Sequence, residues 1–461
     1  MRPLWTAEEV YQATAGCGSA GWWARGISID SRTLRRGDLF VALRGPRHDA
    51  HDHLAEAFAR GAVAAVVSRE AEAAGPLVRV RDTLAALEDL ARHRRAALDA
   101  RVVAVTGSVG KTGSKEMLRA LLARQAPTYA SAKSHNNHWG VPLSLAATPH
   151  EVRFAVYELG MNRPGEIRRL VQPVRPHVVL ITWIACAHLA FFPDEEAIAR
   201  AKAEIFEATP PPEIAVLPRD NAHFERLRRL ARELGVAEIR SFGSAPDADW
   251  RLLEAEWGAE ESRLVIAAGD RPIRCRLSLA GRHWAMNAVG VLAAIEALGG
   301  DVEAAVAGLA ELEAPAGRGR RLRVPVAGGE LLLLDESYNA NPASMRAALE
   351  VLGRQPGRRI AVLGDMAELG PRSPELHAAL AAAVVEAEVA RVFTCGVFMR
   401  ELRAALPVER RAAHAASAAE LLPALRRELR PGDVVLVKGS LASGMGRIVD
   451  ALQAACAGAE G

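Results

Sequence analysis

The sequence predicts an α/β protein of three domains: a small N-terminal α/β domain over residues 1–99, a central parallel-sheet domain over 100–314 and a doubly wound, Rossmann-like domain over 315–461. Three observations carry this. A chain of 461 residues has the length of roughly three ordinary domains. Short β-branched runs alternate with Ala/Leu-rich stretches of helical period, the pattern of crossover units that build parallel sheets. The pattern restarts twice, after the amphipathic stretch 83–100 and after the Pro/Gly-rich kink at 315–319.

In the first domain strands are expected at 27–29, 39–43 and 63–67, with helices over 53–60 and 83–100. The second opens with Val102-Val103-Ala104-Val105, a continuous apolar run suited to a strand buried on both faces. Further strands follow at 154–157, 178–182 and 214–217, and the more polar stretch 245–273 is expected to extend the sheet with antiparallel strands. The third has strands at 331–334, 360–363, 392–394 and 434–437, separated by helical stretches. That is a second doubly wound unit.

A formal net charge of +3, with basic residues spread along the chain, leaves no nucleic-acid footprint. Five scattered cysteines without a CxxC pair suit reduced thiols rather than a disulfide frame or a zinc site. The N-terminal MRPLWTAEEVYQAT lacks the apolar core of a signal peptide. The longest apolar stretch, 178–187, is about half the ~20 residues that a membrane span needs. The expectation is a soluble cytoplasmic protein.

Among 58 lysines and arginines only five are lysine: Lys111, Lys115, Lys133, Lys202 and Lys438. A chain that uses Arg wherever a positive charge suffices keeps lysine for work a guanidinium cannot do, as a compact point charge that can also lose its proton. Lys111 and Lys202 fall in such places. Lys115 and Lys133 read as incidental to composition.

The run at 102–105 leads into Thr106-Gly107-Ser108-Val109-Gly110-Lys111-Thr112-Gly113 and then a helical stretch. Strand, glycine loop, helix is the context of a phosphate-binding loop. Glycines let backbone N–H groups close on phosphate oxygens, and the helix start adds its positive dipole end. Lys111 would reach the β- and γ-phosphates and Thr112 would hold Mg²⁺, so ATP use is expected. Glu158 ends the next strand, where a carboxylate faces the ligand crevice of a parallel sheet. Taken alone, His188 reads as a turn or core histidine and Lys202 as a solvated helix residue.

GSVGKT, YELGMNRPGEI, AHLAFF, AKAEIF, GRHWAMNA, DESYNANPASM, VLGDMAELG and VLVKGS occur in that order, and together they resemble the Mur ligase family. The stretch IDSRTLRRGDLFVALRGPRHDAHDHL is similar to that family's uridine-nucleotide domain, and the likeness runs from about residue 25 to 445. YNANP with GDMAELG implies the activity of adding D-alanyl-D-alanine to UDP-N-acetylmuramoyl-tripeptide in cytoplasmic peptidoglycan synthesis, by a monomer. The resemblance implies that ATP phosphorylates the tripeptide carboxylate and that the dipeptide amine attacks the acyl phosphate.

Residue roles carry over by motif. The resemblance implies Lys111, Glu158, His188, Lys202 and Arg318 as catalytic. Thr112, Glu158, His188 and Lys202 would serve Mg²⁺, with Lys202 carbamylated by CO₂. An ordinary lysine is neutral only about once in 2,500 at pH 7, so its pocket must depress the pKa. Gly107 to Gly113, Asn287, Asp335, Glu336 and Asn339 would bind ATP. Ser31, Arg32, Asp49, His51, Asn136 and Asn137 would hold the UDP-sugar, and the 315–461 domain the dipeptide. Asp49, His51 and Asp335 read equally well as turn or capping residues.

Three positions depart from the family pattern: Trp183 after the threonine, Trp284 in GRHW, and Glu336 before SYNANP. Either indole could stack on adenine or fill the core. The competing readings are another Mur-type or folate-type ligase, a P-loop small-molecule kinase, and an inactive nucleotide-binding scaffold.

Overall fold

The computed structural model describes residues 2–46, 48–186 and 189–457. Its first sheet has the strand order Cys17–Gly18, Leu77–Arg79, Ala64–Val67, Asp38–Val41, Gly26–Ser28, parallel except for the outermost Cys17–Gly18 pairing. The helix expected over 83–100 is Thr83–Ala97, capped by Asp82, whose carboxylate accepts from Leu84 N and Ala85 N. The one expected over 53–60 resolves into a 3₁₀ turn, Ala50–His53, and a short helix, Leu54–Ala59.

The second sheet has nine strands, with Arg101–Thr106 between Phe154–Glu158 and Val178–Ile181, all parallel. After Arg101–Thr106 the chain first fills one side of the sheet and then crosses to the other. The carboxyl end of this strand is therefore a topological switch point, where such sheets open a crevice for ligands. The expected antiparallel extension is present as Trp250–Trp257, Ser262–Ala268 and Arg271–Leu277. One face of the sheet is covered by the helices Lys111–Ala123 and Arg282–Ala297, the other by Glu166–Val174 and Glu195–Ala203. Both faces are buried, so the central strands have no polar side.

The third sheet runs Arg320–Val326, Gly329–Glu336, Asp433–Lys438, Arg358–Gly364, Arg391–Cys395, Arg411–Ala415, parallel beyond its first hairpin. Arg320–Val326 is invisible to pattern reading because arginines and Pro325 interrupt it, which an edge strand tolerates.

The sheets are joined by specific contacts. Helix Thr83–Ala97 packs on helix Gly140–Ala146, Trp5 Nε1 donates to Ala146 O (2.9 Å), and Arg95 donates to the carbonyls of Val174 and Arg175. On the other side Arg321 and Gln355 hold the Ala259 carbonyl, and Ala190 N donates to Glu368 O (3.0 Å). No helix among the described residues is long and apolar enough to cross a membrane.

Candidate active site

The loop after strand Arg101–Thr106 is shaped by its glycines. Gly107 and Gly110 have φ of 154° and 84°, and a Cβ at Gly110 would lie 2.6 Å from Asn287 Oδ1. Ser108 N donates to Trp183 O (2.7 Å) and Thr182 Oγ1 donates to Val109 O (2.5 Å), so the neighbouring strand end holds the loop open. Helix Lys111–Ala123 then begins with no side-chain cap. Its first-turn N–H groups face the crevice as a ready anion site. Lys111 Nζ donates to Gly107 O (2.7 Å). Burial lowers its pKa and the charge of Arg318 adds to this, against the pull of Glu158.

Opposite the loop, Glu158 is 1% exposed at the end of strand Phe154–Glu158. Its Oε2 accepts from Thr112 Oγ1 (2.8 Å) and its Oε1 from Asn136 Nδ2 (2.7 Å). Asn136 thus sits at the phosphate crevice, and Asn137 spends its Oδ1 on Trp139 N and Gly140 N at a helix start. Among the described residues no three His, Cys, Asp or Glu side chains converge as a complete metal cage. A buried carboxylate and a hydroxyl beside a phosphate loop are instead the oxygen donors that suit Mg²⁺, which fills its shell with phosphates and water.

Lys202 lies on helix Glu195–Ala203, which Asp194 caps through Ala197 N (2.7 Å). It is 1% exposed. Burial first, and then the nearby Lys111 ammonium, push its pKa far below the usual lysine value. His188, expected beside it, lies outside the described residues.

Asn287 lines the far side of the loop, against Gly110 and Gly113. Trp284 is a core residue, 6% exposed, and its ring lies over Gly113. The indole Nε1 faces Gly319, at the wall of a cavity of about 410 Å³ between the second and third domains, also lined by His283, Arg320 and Glu336. Trp183 is half-buried and serves the loop through its backbone carbonyl.

Asp335 uses both carboxylate oxygens on the hinge, accepting from Gly317 N (2.8 Å) and from Ser337 Oγ (2.6 Å) and N. Glu336 faces the cavity and accepts from Lys438 Nζ (3.2 Å), its register partner on the next strand. Lys438 also donates to Asn339 O (3.0 Å), while the Asn339 side chain is exposed and accepts from Ala340 N. Arg318 stacks on Tyr338 at 4.1 Å from the ring centre. Lys438 carried a signal in the sequence, as one of five lysines at the end of an apolar run, but its acid partner lies 102 residues away.

In the first domain the expected sugar-site residues are internally paired. Ser31 Oγ donates to Glu56 (2.8 Å), and Arg32 forms a two-pronged contact with Asp30 on the surface. His51 is buried. Ser68 N donates to its Nε2 (3.0 Å), so Nδ1 carries the proton and donates to Asp49 Oδ1 (2.6 Å). A cavity of about 830 Å³ opens at the carboxyl ends of the third-domain strands, lined by Asp365, Phe398, Ser440, Leu441 and Arg447 and reaching Ala190 of the central domain.

Three family models match in chain order: the Mur ligase family catalytic domain at residues 24–95, the Mur ligase middle domain at 105–295 and the Mur ligase glutamate ligase domain at 319–441. The UDP-N-acetylmuramoyl-tripeptide–D-alanyl-D-alanine ligase of Escherichia coli is 37% identical over 430 residues, covering 93% of each chain. The crystal structure of MurF from Acinetobacter baumannii superposes with a TM-score of 0.85 at 33% identity, over 98% of this chain and 99% of that one. MurF from Thermotoga maritima, solved with ADP, gives 0.76 at 28% identity, over 93% and 97%. A phosphate loop facing a buried Glu158 and a buried Lys202, on three sheets matched from end to end, places the chain in the Mur ligase family.

Proposed function

We propose that the chain joins D-alanyl-D-alanine to the terminal carboxylate of UDP-N-acetylmuramoyl-tripeptide at the expense of ATP, in peptidoglycan precursor synthesis. The observation that carries this is the crevice itself: an uncapped helix start, Lys111 and the Thr112–Glu158 pair converge where the strand order switches. Full-length similarity to ligases of that name supports the substrate pair. We assign residues 1–99 to the UDP-sugar, 100–314 to ATP and the reacting carboxylate, and 315–461 to the dipeptide. The enzyme acts as a cytoplasmic monomer.

The chemistry needs alignment and charge neutralisation more than covalent help. A tripeptide carboxylate oxygen attacks the γ-phosphorus, the bond to the bridging oxygen breaks, and ADP leaves. The neutral amine of D-Ala-D-Ala then attacks the acyl carbon, and the tetrahedral intermediate expels inorganic phosphate with loss of the amine proton. Lys111 and the loop N–H groups neutralise the γ-phosphate as charge shifts from it. Glu158 and Thr112 would hold Mg²⁺, which when bound screens the phosphate oxygens.

Lys202 enters as a carbamate. Burial pushes its pKa well below the usual lysine value and so favours the neutral form, and a neutral amine adds to CO₂ with loss of one proton, turning a cation into a long carboxylate. Arginine has no such chemistry. The third-domain cavity, with exposed Val397, Phe398 and Leu441 at its mouth, suits a small peptide brought against the central domain. The deciding experiment measures phosphate release from ATP with UDP-N-acetylmuramoyl-tripeptide, with and without D-Ala-D-Ala. Release that ignores the dipeptide overturns the proposal.

A further inference from the structure

Lys115 is the one buried lysine of the central domain for which the proposed chemistry has no use. It lies one helical turn beyond Lys111, and its side chain is 0% exposed. Its Nζ donates to Ser131 O (2.7 Å) and to Lys133 O (2.7 Å) and pairs with Glu116 Oε1 (2.7 Å). Three protons meet three acceptors. A guanidinium is planar and too broad to serve three converging oxygens this way. The chain that otherwise prefers arginine has kept lysine here for a geometric reason.

The two carbonyls belong to a segment that wraps the end of strand Phe154–Glu158. Ser131 N donates to Val156 O (3.0 Å), Glu158 N donates to Ser131 Oγ (3.3 Å), and Gly160 N donates to Asn136 O (2.8 Å). Lys133 adopts a left-handed φ of 48°, a conformation that costs a non-glycine residue energy and persists only where the surroundings enforce it. The bonds from Lys115 to the carbonyls on either side of this bend enforce it. Beyond the bend stands Asn136, whose Nδ2 holds Glu158 Oε1 and leaves Oε2 to Thr112.

We infer that Lys115 is a positioning residue. It fixes the 131–136 segment so that Asn136 sets the orientation of the Glu158 carboxylate, tying the phosphate-loop helix to the acid that faces it. The inference rests on the proposed role of Glu158 toward a divalent cation. The residues fit that role, since Glu158 is buried and is hydrogen-bonded on each oxygen by a neutral donor. A carboxylate held by neutral donors keeps its charge for a cation, and groups that orient a ligand typically govern about ten- to a hundredfold in affinity.

The test is Mn²⁺ binding in the presence of ADP, read by electron paramagnetic resonance, in Lys115→Met, Asn136→Ala, the double variant and Glu158→Ala. Asn136→Ala is expected to weaken binding at least about tenfold, Lys115→Met by a similar factor, and the double variant no further than Asn136→Ala alone. Unchanged affinity in Lys115→Met, or losses that multiply in the double variant, would overturn the inference. Should Lys115→Met melt before assay temperature, Lys115→Gln, which keeps two donors, is expected to show a smaller loss of the same kind, and wild-type affinity there overturns it equally. Unchanged binding in Glu158→Ala would instead remove the role of the carboxylate, separating the two failures.

Discussion

The phosphate crevice and the first-domain residues expected to hold the UDP-sugar differ in how their charges are met. In the crevice, Lys111 and Lys202 are both held below the usual lysine pKa, first by burial; the Lys111 charge adds to this at Lys202, and at Lys111 the Arg318 charge adds to it against the pull of Glu158. In the first domain every expected recognition residue has an internal partner: His51 with Asp49 and Ser68, Ser31 with Glu56, Arg32 with Asp30. Amines desolvated together beside a cleft are a mark of a functional site. Paired groups build a scaffold. Desolvated amines mark the crevice electrostatically, while internally paired groups leave the first domain without such a mark.

The sharpest way to break that contrast is Lys111→Ala. It should abolish ATP turnover and leave the thermal melt unchanged or raised, since it removes a buried like charge. Near-normal turnover would end the phosphate-loop reading. Lys202→Arg should be as inactive as Lys202→Ala, and short carboxylic acids should restore part of the activity of the alanine variant; an active arginine variant would show a simple cation at work.

Lys202 also sets a pH signature. Its folded pKa lies below the unfolded value near 10.5, so the unfolded chain binds the proton more tightly, and stability falls as pH drops from 10.5 toward the folded value. Lys202→Met should therefore raise the melting temperature most at neutral pH, with the gain vanishing as pH rises through 10.5. A gain independent of pH would remove the titration argument.

Smaller effects follow at the hinge and in the core. Arg318→Ala should lower the ratio of amide formed to phosphate released if the guanidinium, which bears on Lys111 from the hinge loop, serves to link domain closure to nucleotide. An unaltered ratio sinks that role. Trp284→Asn should cost about 3 kcal/mol or more of stability by opening the core, with turnover reduced rather than abolished, and ATP should perturb the emission of the unmodified enzyme. Smallest in activity is Asp49→Asn: about 1–3 kcal/mol of stability is lost with the His51 hydrogen bond, while kcat stays near that of the parent. A collapse of kcat in this variant would place a reacting group in the first domain and erase the contrast.

The amino-acid sequence by itself determined the three-sheet plan, the glycine loop with Lys111 and Thr112, and the strand-end Glu158. Each rests on local pattern: β-branched runs, glycines at a turn, a helix start. Position along the chain could not say that Asn136 hydrogen-bonds Glu158, nor that Asp335 accepts from the hinge at Gly317. Lys115 read as an accident of composition because the carbonyls that claim it, at 131 and 133, become neighbours only when the segment after strand Thr128–Ala130 folds over the helix. The partner of Lys438 likewise comes from strand register, and the burial of Lys202 from the packing of its helix against the sheet. Local patterns choose elements because propensity and periodicity act over a few residues. The charge state of a buried amine is an energy of desolvation and of distant neighbours, and only the tertiary structure supplies either.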